Sequence, residues 1–211
     1  MEHIDFYLAS GSPRRRALLT EWGYQFSILR PANGEPSVEE VQSSGETALD
    51  YVRRLAREKA LCGREILRMR GLEELPVLAS DTIVVLEGEV LEKPITEERA
   101  REFLKRLSGS SHQVYTAVAC TDGRGGILED ISISTVYFRK LDDEEIDSYV
   151  ASGDPLDKAG AYGIQGKAGS FVLSITGSYT GIMGLPITET ALLLKKAGIP
   201  IFRTADADRQ H

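Results

Sequence analysis

The chain has 211 residues, 42% hydrophobic and 27% charged, which is enough apolar content for a core in one large domain or two intimate lobes. A formal net charge of −7 excludes a general nucleic-acid binder and means that any anion site must gather its Lys and Arg locally. Two cysteines without a CxxC spacing, a start that lacks a signal-peptide pattern and the lack of any membrane-length apolar run lead to the expectation of a cytoplasmic protein without disulfides, zinc or membrane contact.

Phe6 to Ser10 reads as a short apolar strand, punctuated by Gly11. Ser12 is a natural N-cap and Pro13 suits the first helical position, where no N–H is needed. Arg14, Arg15 and Arg16 then fall in the first turn, where a helix already carries partial positive charge and prefers acids. Such a stack is either a solvated surface or an anion cradle of backbone N–H groups, serine hydroxyls and guanidinium forks that suits phosphate. Tyr24 to Leu29 reads as a second strand, and residues 31–45 as a loop containing Glu35.

A long helix is expected from Glu46 to about Arg70, closed by Gly71, with Ala48, Val52, Leu55, Ala56 and Ile66 as its apolar stripe. Lys59 continues that stripe and either snorkels along the core edge or aims its ammonium into a cleft. Pro76 to Leu86 is the strongest strand, and Asp81 interrupts it; a strand aspartate among apolar residues is a structural hydrogen-bonder, a metal ligand or a general base. Glu87-Gly88-Glu89 reads as a hairpin turn, and the return strand to Pro94 carries Lys93 towards Asp81.

Thr96 caps a helix to Leu107; His112 to Thr121 and Ile127 to Phe138 form a meander about a turn at residues 122–126. Asp142 with Glu145 makes a capping box for a helix ending near Ser152. The glycine-rich stretch 157–169 keeps Tyr162, Ile164 and Gln165, unlike a floppy linker, and reads as a ligand-facing loop. Ser170 to Thr176 is a last strand, residues 177–179 a turn, and the segment through Gly184-Leu185-Pro186 leads into a final helix stopped by Gly198. Domain boundaries follow: one unit over 1–205 and a polar tail over 206–211.

The sequence lacks GxSxG, a Walker motif and GxGxxG after a strand, and His3, His112 and His211 fit no triad or metal spacing. What remains is a cation set (Arg14, Arg15, Lys59, Lys93, with Lys158 and Lys167) and two acids, Glu35 and Asp81. Hard carboxylate oxygens suit Mg²⁺ or Mn²⁺, and cations with such a metal suit phosphoryl or nucleotidyl transfer.

Four blocks, in order, carry a resemblance that spans nearly the whole chain: Leu8 to Arg15, Ser80 to Val84 with Lys93-Pro94, Lys158 to Gly166, and Gly184-Leu185-Pro186. Together they resemble the Maf family of septum-formation-inhibitor-like nucleoside triphosphate pyrophosphatases. The resemblance implies an α/β fold, with a long curved mixed sheet, flanking helices and two lobes around a central cleft, as in inosine triphosphatases. It implies metal-dependent hydrolysis of a nucleoside triphosphate to the monophosphate and pyrophosphate, and a homodimer. By position it makes Asp81 the proton acceptor or metal-organising carboxylate. Ser10, Arg15, Lys59 and Lys93 become triphosphate holders; Arg14, Thr82 and Gln165 become positions tied to base choice. The Ala161-Tyr162-Gly163-Ile164-Gln165-Gly166 form is similar to the branch acting on dTTP and UTP rather than on 7-methyl-GTP. Glu35 stands where relatives often have a more acidic run, and is the metal candidate there. The competing readings are the same chemistry on a purine nucleotide, and a nucleotide-binding regulator of septum formation with little turnover.

Overall fold

The computed structural model describes residues 3–122 and 124–202; the expected polar tail lies outside the described residues. Seven strands form one mixed sheet: β1 (Phe6–Leu8), β2 (Phe26–Ile28), β3 (Val77–Leu86), β4 (Glu89–Leu91), β5 (Ser111–Thr121), β6 (Ile127–Phe138) and β7 (Val172–Thr176). Their spatial order is β2-β1-β3-β5-β6-β7, with β4 pairing the far end of β3. β1 runs parallel to β2 and β3, and the remaining pairings are antiparallel. The expected mixed α/β architecture is the one observed.

Helix α1 (Pro13–Glu21) follows β1, capped by Ser12 with Pro13 in its first turn. Helix α2 (Ala48–Met69) begins two residues later than its periodicity suggested, because Thr47, whose side chain accepts from the Asp50 N–H, is the cap. Helices α3 (Glu97–Leu107) and α4 (Asp143–Ala151) start at Thr96 and at the Asp142–Glu145 capping box. Where a plain turn was expected after Gly177, five residues form helix α5 (Tyr179–Met183), capped by Ser178 and ended by Gly184. Helix α6 is Ile187–Lys196.

β3 carries the core on both faces. Ala79, Ile83 and Val85 pack with Tyr51, Val52 and Leu55 of α2. On the other face Leu78 joins α1 and α6, and Val84 joins α3 and α4. This two-sided burial explains the near-continuous apolar run of β3. The segment 157–171 forms two short 3-10 turns instead of a floppy loop, so β7 starts two residues later than the sequence suggested. Gly160 sits at φ +64° with Val84 beneath it, where a Cβ would come within 2.8 Å of the valine side chain.

One anchor of that segment titrates. His112 on β5, 2% exposed, lies with Nε2 2.7 Å from the Tyr162 hydroxyl and edge-on to Phe138. Burial pushes the His112 pKa down to about 4 from 6.5. The folded pKa is the lower one, so the unfolded chain takes up this proton first. The associated stability is present above pH 6.5 and is lost as the pH falls through about 4, in total about 3 kcal/mol. Glu35, Glu46 and Glu145, each paired with an arginine and held down to about 2 from 4.5, act below that window. Denaturant melts from pH 7 to 4.5 will show this slope, and His112→Gln will flatten it. An equal slope in the variant would assign the titration elsewhere.

Candidate functional site

β3 is paired on both sides only near its ends. β1 covers Val77 and Leu78, β4 covers Val84 to Leu86, and along residues 79–83 β5 alone is its ladder partner among the described residues. The gap opens at the C-terminal end of β1 and the N-terminus of α1, the place where open α/β sheets take their ligands. A cavity of about 610 Å³ fills it. Successive strand residues face opposite sides of a sheet, so Asp81 turns to α2 and Thr82 to α5, yet both line the cavity through the gap.

On the α2 side, the Lys59 ammonium sits 2.5 Å from Asp81 Oδ1 and 2.6 Å from Glu40 Oε1. Lys59 therefore points into the cleft and does not snorkel. Lys93 Nζ stands 3.4 Å from the other Glu40 oxygen. Burial pushes the Glu40 carboxyl up, but Lys59 and Lys93 overcome it and leave its pKa lowered. Glu92 also lines the cavity, against Tyr51; burial raises its pKa, and the nearby Asp81 and Glu40 charges push the same way. Asp81 is the most enclosed of these acids that Lys59 touches, with a side chain 10% exposed.

On the α1 side, the Ser12 hydroxyl accepts from the Arg15 N–H, and Ser10 to Arg15 form the cavity floor. The Arg15 guanidinium donates from Nε to Gly184 O at 2.8 Å, from Nη1 to Ser10 Oγ at 3.3 Å and from Nη2 to Thr82 Oγ1 at 3.2 Å. Burial lowers its pKa, and the Asp81 charge partly offsets this. Gly184 ends α5 at φ +113°, a backbone conformation that favours glycine, and so presents its carbonyl to Arg15. Arg14 lines the cavity beside it, and Arg30 donates to Gly11 O at 2.8 Å, fixing the floor from below. The arginine stack thus resolves into one inward clamp, one cavity-wall cation and the exposed Arg16.

The structure brings Ser10, Arg14, Arg15, Lys59, Asp81, Thr82 and Lys93 to one cavity. It does not bring Glu35 there. Its carboxylate is bidentate to Arg70 at 2.8 and 2.7 Å and accepts from the Ala32 N–H at 2.7 Å, and the Arg70 bond above all holds its pKa down to about 2. Glu35 ties the 31–37 loop to the end of α2, and Glu40 is the loop acid that reaches Asp81's lysine. Gln165 is exposed and outside the cavity lining, whereas Tyr162 and Ile164 of the same segment line it. Lys158, also in the wall, is held by the Asp154 carbonyl and the Asp154 and Asp157 carboxylates.

Asp81 and Glu40 contributed nothing to each other in the sequence because Glu40 sits in an aperiodic loop, 41 positions away. The weak signal was the acidic pair Glu39-Glu40 within that loop. The arrangement can grip a polyanion between a helix N-terminus and three or more cations while placing a carboxylate at its side.

The chain is similar to known proteins over most of its length. The chain is 53% identical over 197 residues to a Bordetella pertussis protein named dTTP/UTP pyrophosphatase, covering 92% of this chain and 93% of that protein. It is 50% identical over 195 residues to a Chromobacterium violaceum protein of the same name (92% and 96% covered), and 53% identical over 188 residues to one from Escherichia coli O157:H7 (89% and 90%). The Maf profile, described as Maf-like protein, matches residues 5–197, which contain the whole of the cavity described above. The chain belongs to the Maf family.

Proposed function

We propose that this protein hydrolyses dTTP and UTP to the nucleoside monophosphate and pyrophosphate. The observation that carries the reading is the single cavity in which Asp81 stands between the α1 N-terminus with Arg15 and the cations Lys59 and Lys93. Relatives at 50–53% identity bearing the name dTTP/UTP pyrophosphatase support the substrate class.

In this reading Ser10, the α1 N-terminus, Arg15, Lys59 and Lys93 hold the phosphate chain. Water attacks phosphorus, the bond between the α-phosphorus and the bridging oxygen to the β-phosphate breaks, and pyrophosphate leaves with its charge on these cations. Asp81 takes the proton from the attacking water. Lys59 is shared between Asp81, Glu40 and the incoming phosphates, so it couples the carboxylates to occupation of the site.

A divalent cation fits the donor set. Asp81 and Glu40 offer hard oxygens converging on one ammonium, and Mg²⁺ or Mn²⁺ needs only one or two carboxylates beside substrate phosphates. Asp81 and Glu40 would hold it, and when bound it would neutralise phosphate charge and lower the pKa of water. The role expected of Glu35 passes to Glu40 here, since Glu35 is committed to Arg70. Cys62 and Cys120 are free thiols, and no described helix is long and apolar enough to cross a membrane.

A panel of UTP, dTTP, CTP, GTP and 7-methyl-GTP with Mg²⁺ or Mn²⁺ tests the substrate class by kcat/KM. The reading expects UTP and dTTP to lead. Preference for a purine nucleotide, or tight binding without turnover of any of them, would overturn it.

A further inference from the structure

Among the described residues, the non-glycine residues with a positive φ are Glu87, Ile95 and Ala161. Glu87 precedes Gly88 in the two-residue β3–β4 hairpin turn, where that backbone is ordinary, and Ile95 is exposed. Ala161, at φ +63°, is wholly buried and follows Gly160 at φ +64°. An alanine in the left-handed region is strained by its Cβ, and such strain lasts only where the surrounding contacts hold it.

This turn delivers the next residues to the cavity. Tyr162 and Ile164, 6% and 8% exposed, stand in its wall. What holds the turn from behind is His112 of β5, which is outside the cavity lining. Its Nε2 lies 2.7 Å from the Tyr162 hydroxyl, and the rings of His112, Tyr162 and Phe138 meet edge-on with centroids 4.9 to 5.3 Å apart. His112 Nδ1 has no partner among the described residues, so the bond to Tyr162 is the one its ring makes there. A buried polar ring with half of its hydrogen-bonding capacity empty is a costly way to fill an apolar core. A phenylalanine would fill the same space without that cost. What the histidine adds is the tie to Tyr162.

We propose that His112 is a positioning residue for the nucleotide site, which through the Tyr162 hydroxyl holds the left-handed Gly160-Ala161 turn in place and so keeps Tyr162 and Ile164 in the cavity wall. With the wall already ordered, the nucleotide spends no binding energy on ordering it. Without the tie the strained turn relaxes in the free protein, and the competent wall is populated only part of the time, which weakens apparent affinity by that fraction. Asp81 and Lys59, on the α2 side of the gap, keep their own contacts, so the effect falls on KM and spares kcat. The kinetic part of this inference rests on the nucleotide reading above; the hold on the turn is read without nucleotide.

The test compares the wild type with Tyr162→Phe, which deletes only the hydroxyl, His112→Phe, which keeps a ring against Phe138, the Tyr162→Phe/His112→Phe double variant, and the His112→Phe/Ala161→Gly pair. Hydrogen exchange across residues 158–166, followed by mass spectrometry without nucleotide, is expected to speed up at least about fivefold in each single variant and no further in their double, because both break one bond. With UTP as substrate, each single variant is expected to raise KM at least about fivefold while kcat stays within about twofold. Adding Ala161→Gly to His112→Phe is expected to recover most of the KM change, since a glycine keeps a left-handed turn without help. Unchanged exchange in both single variants would overturn the proposal. So would a loss of kcat with KM unchanged, or a raised KM that Ala161→Gly does not recover, either of which would leave His112 a packing residue. If His112→Phe does not fold, exchange and KM in Tyr162→Phe decide alone. A wild type that does not hydrolyse UTP would overturn the nucleotide reading itself, and the exchange arm would still decide whether His112 holds the turn.

Discussion

Replacing Asp81 by Asn will lower UTP turnover by on the order of 10² or more and leave the fold in place. The change is nearly isosteric, and Lys59 keeps Glu40 as a partner at 2.6 Å, so no ammonium is stranded in the cavity. What disappears is the proton acceptor and one of two hard oxygens facing the phosphate cradle. Glu40 does not substitute for it. Glu40 is 43% exposed against 10% for Asp81, and it comes from a loop, while Asp81 is fixed by the β3–β5 ladder. Steady-state kinetics at saturating UTP, with a thermal melt on the same sample, checks this. Turnover near the wild-type value would remove Asp81 from the chemistry.

The second large effect is expected of Lys59→Met. The aliphatic stem keeps its place on the α2 face, but two carboxylates lose the cation they share. The site then loses a phosphate contact, and Glu40 loses the ammonium that helps to hold its carboxyl down. Turnover is expected to drop at least about tenfold at neutral pH. A stability cost accompanies it, unlike the neutral outcome that a snorkelling lysine would give. The sign follows from Glu40, whose carboxyl Lys59 holds down: its folded pKa rises in the variant, so the deficit is largest above the carboxylate range and shrinks as the pH falls through it. Melts of both proteins at pH 7 and pH 4 decide the matter. A deficit that is constant with pH would mean that the lysine stem, and not its charge, is what the site uses.

The legible parts of this fold were those with a local physical code. Ser12-Pro13, Thr96 and Asp142 with Glu145 announce helix starts through capping chemistry alone, and each caps a helix as expected. The apolar run of β3 marked the central strand, and Asp81 within it drew notice because a carboxylate there needs partners. Lys59 on an apolar stripe was the same kind of signal, and its partners proved to be Asp81 and Glu40. Glu40 itself was not legible, because the loop that carries it has no periodicity and its approach to Lys59 depends on how residues 31–45 cross the end of the sheet. Glu35 attracted attention as a loop acid, but only the structure shows Arg70 at the far end of α2 claiming it. The contacts of the buried Thr116 hydroxyl with Thr82 and with the Gly181 carbonyl were equally hidden, since they need the register between β3 and β5 and the five-residue α5, where the sequence pattern suggested only a turn.

This cavity is expected to grip a triphosphate so that pyrophosphate departs as one unit. That is tested most directly by following UTP with Mg²⁺ by phosphorus NMR over a single course of hydrolysis. UMP and pyrophosphate are expected to appear in equal amounts, with no UDP at any time. Orthophosphate with UDP as the first products would contradict it.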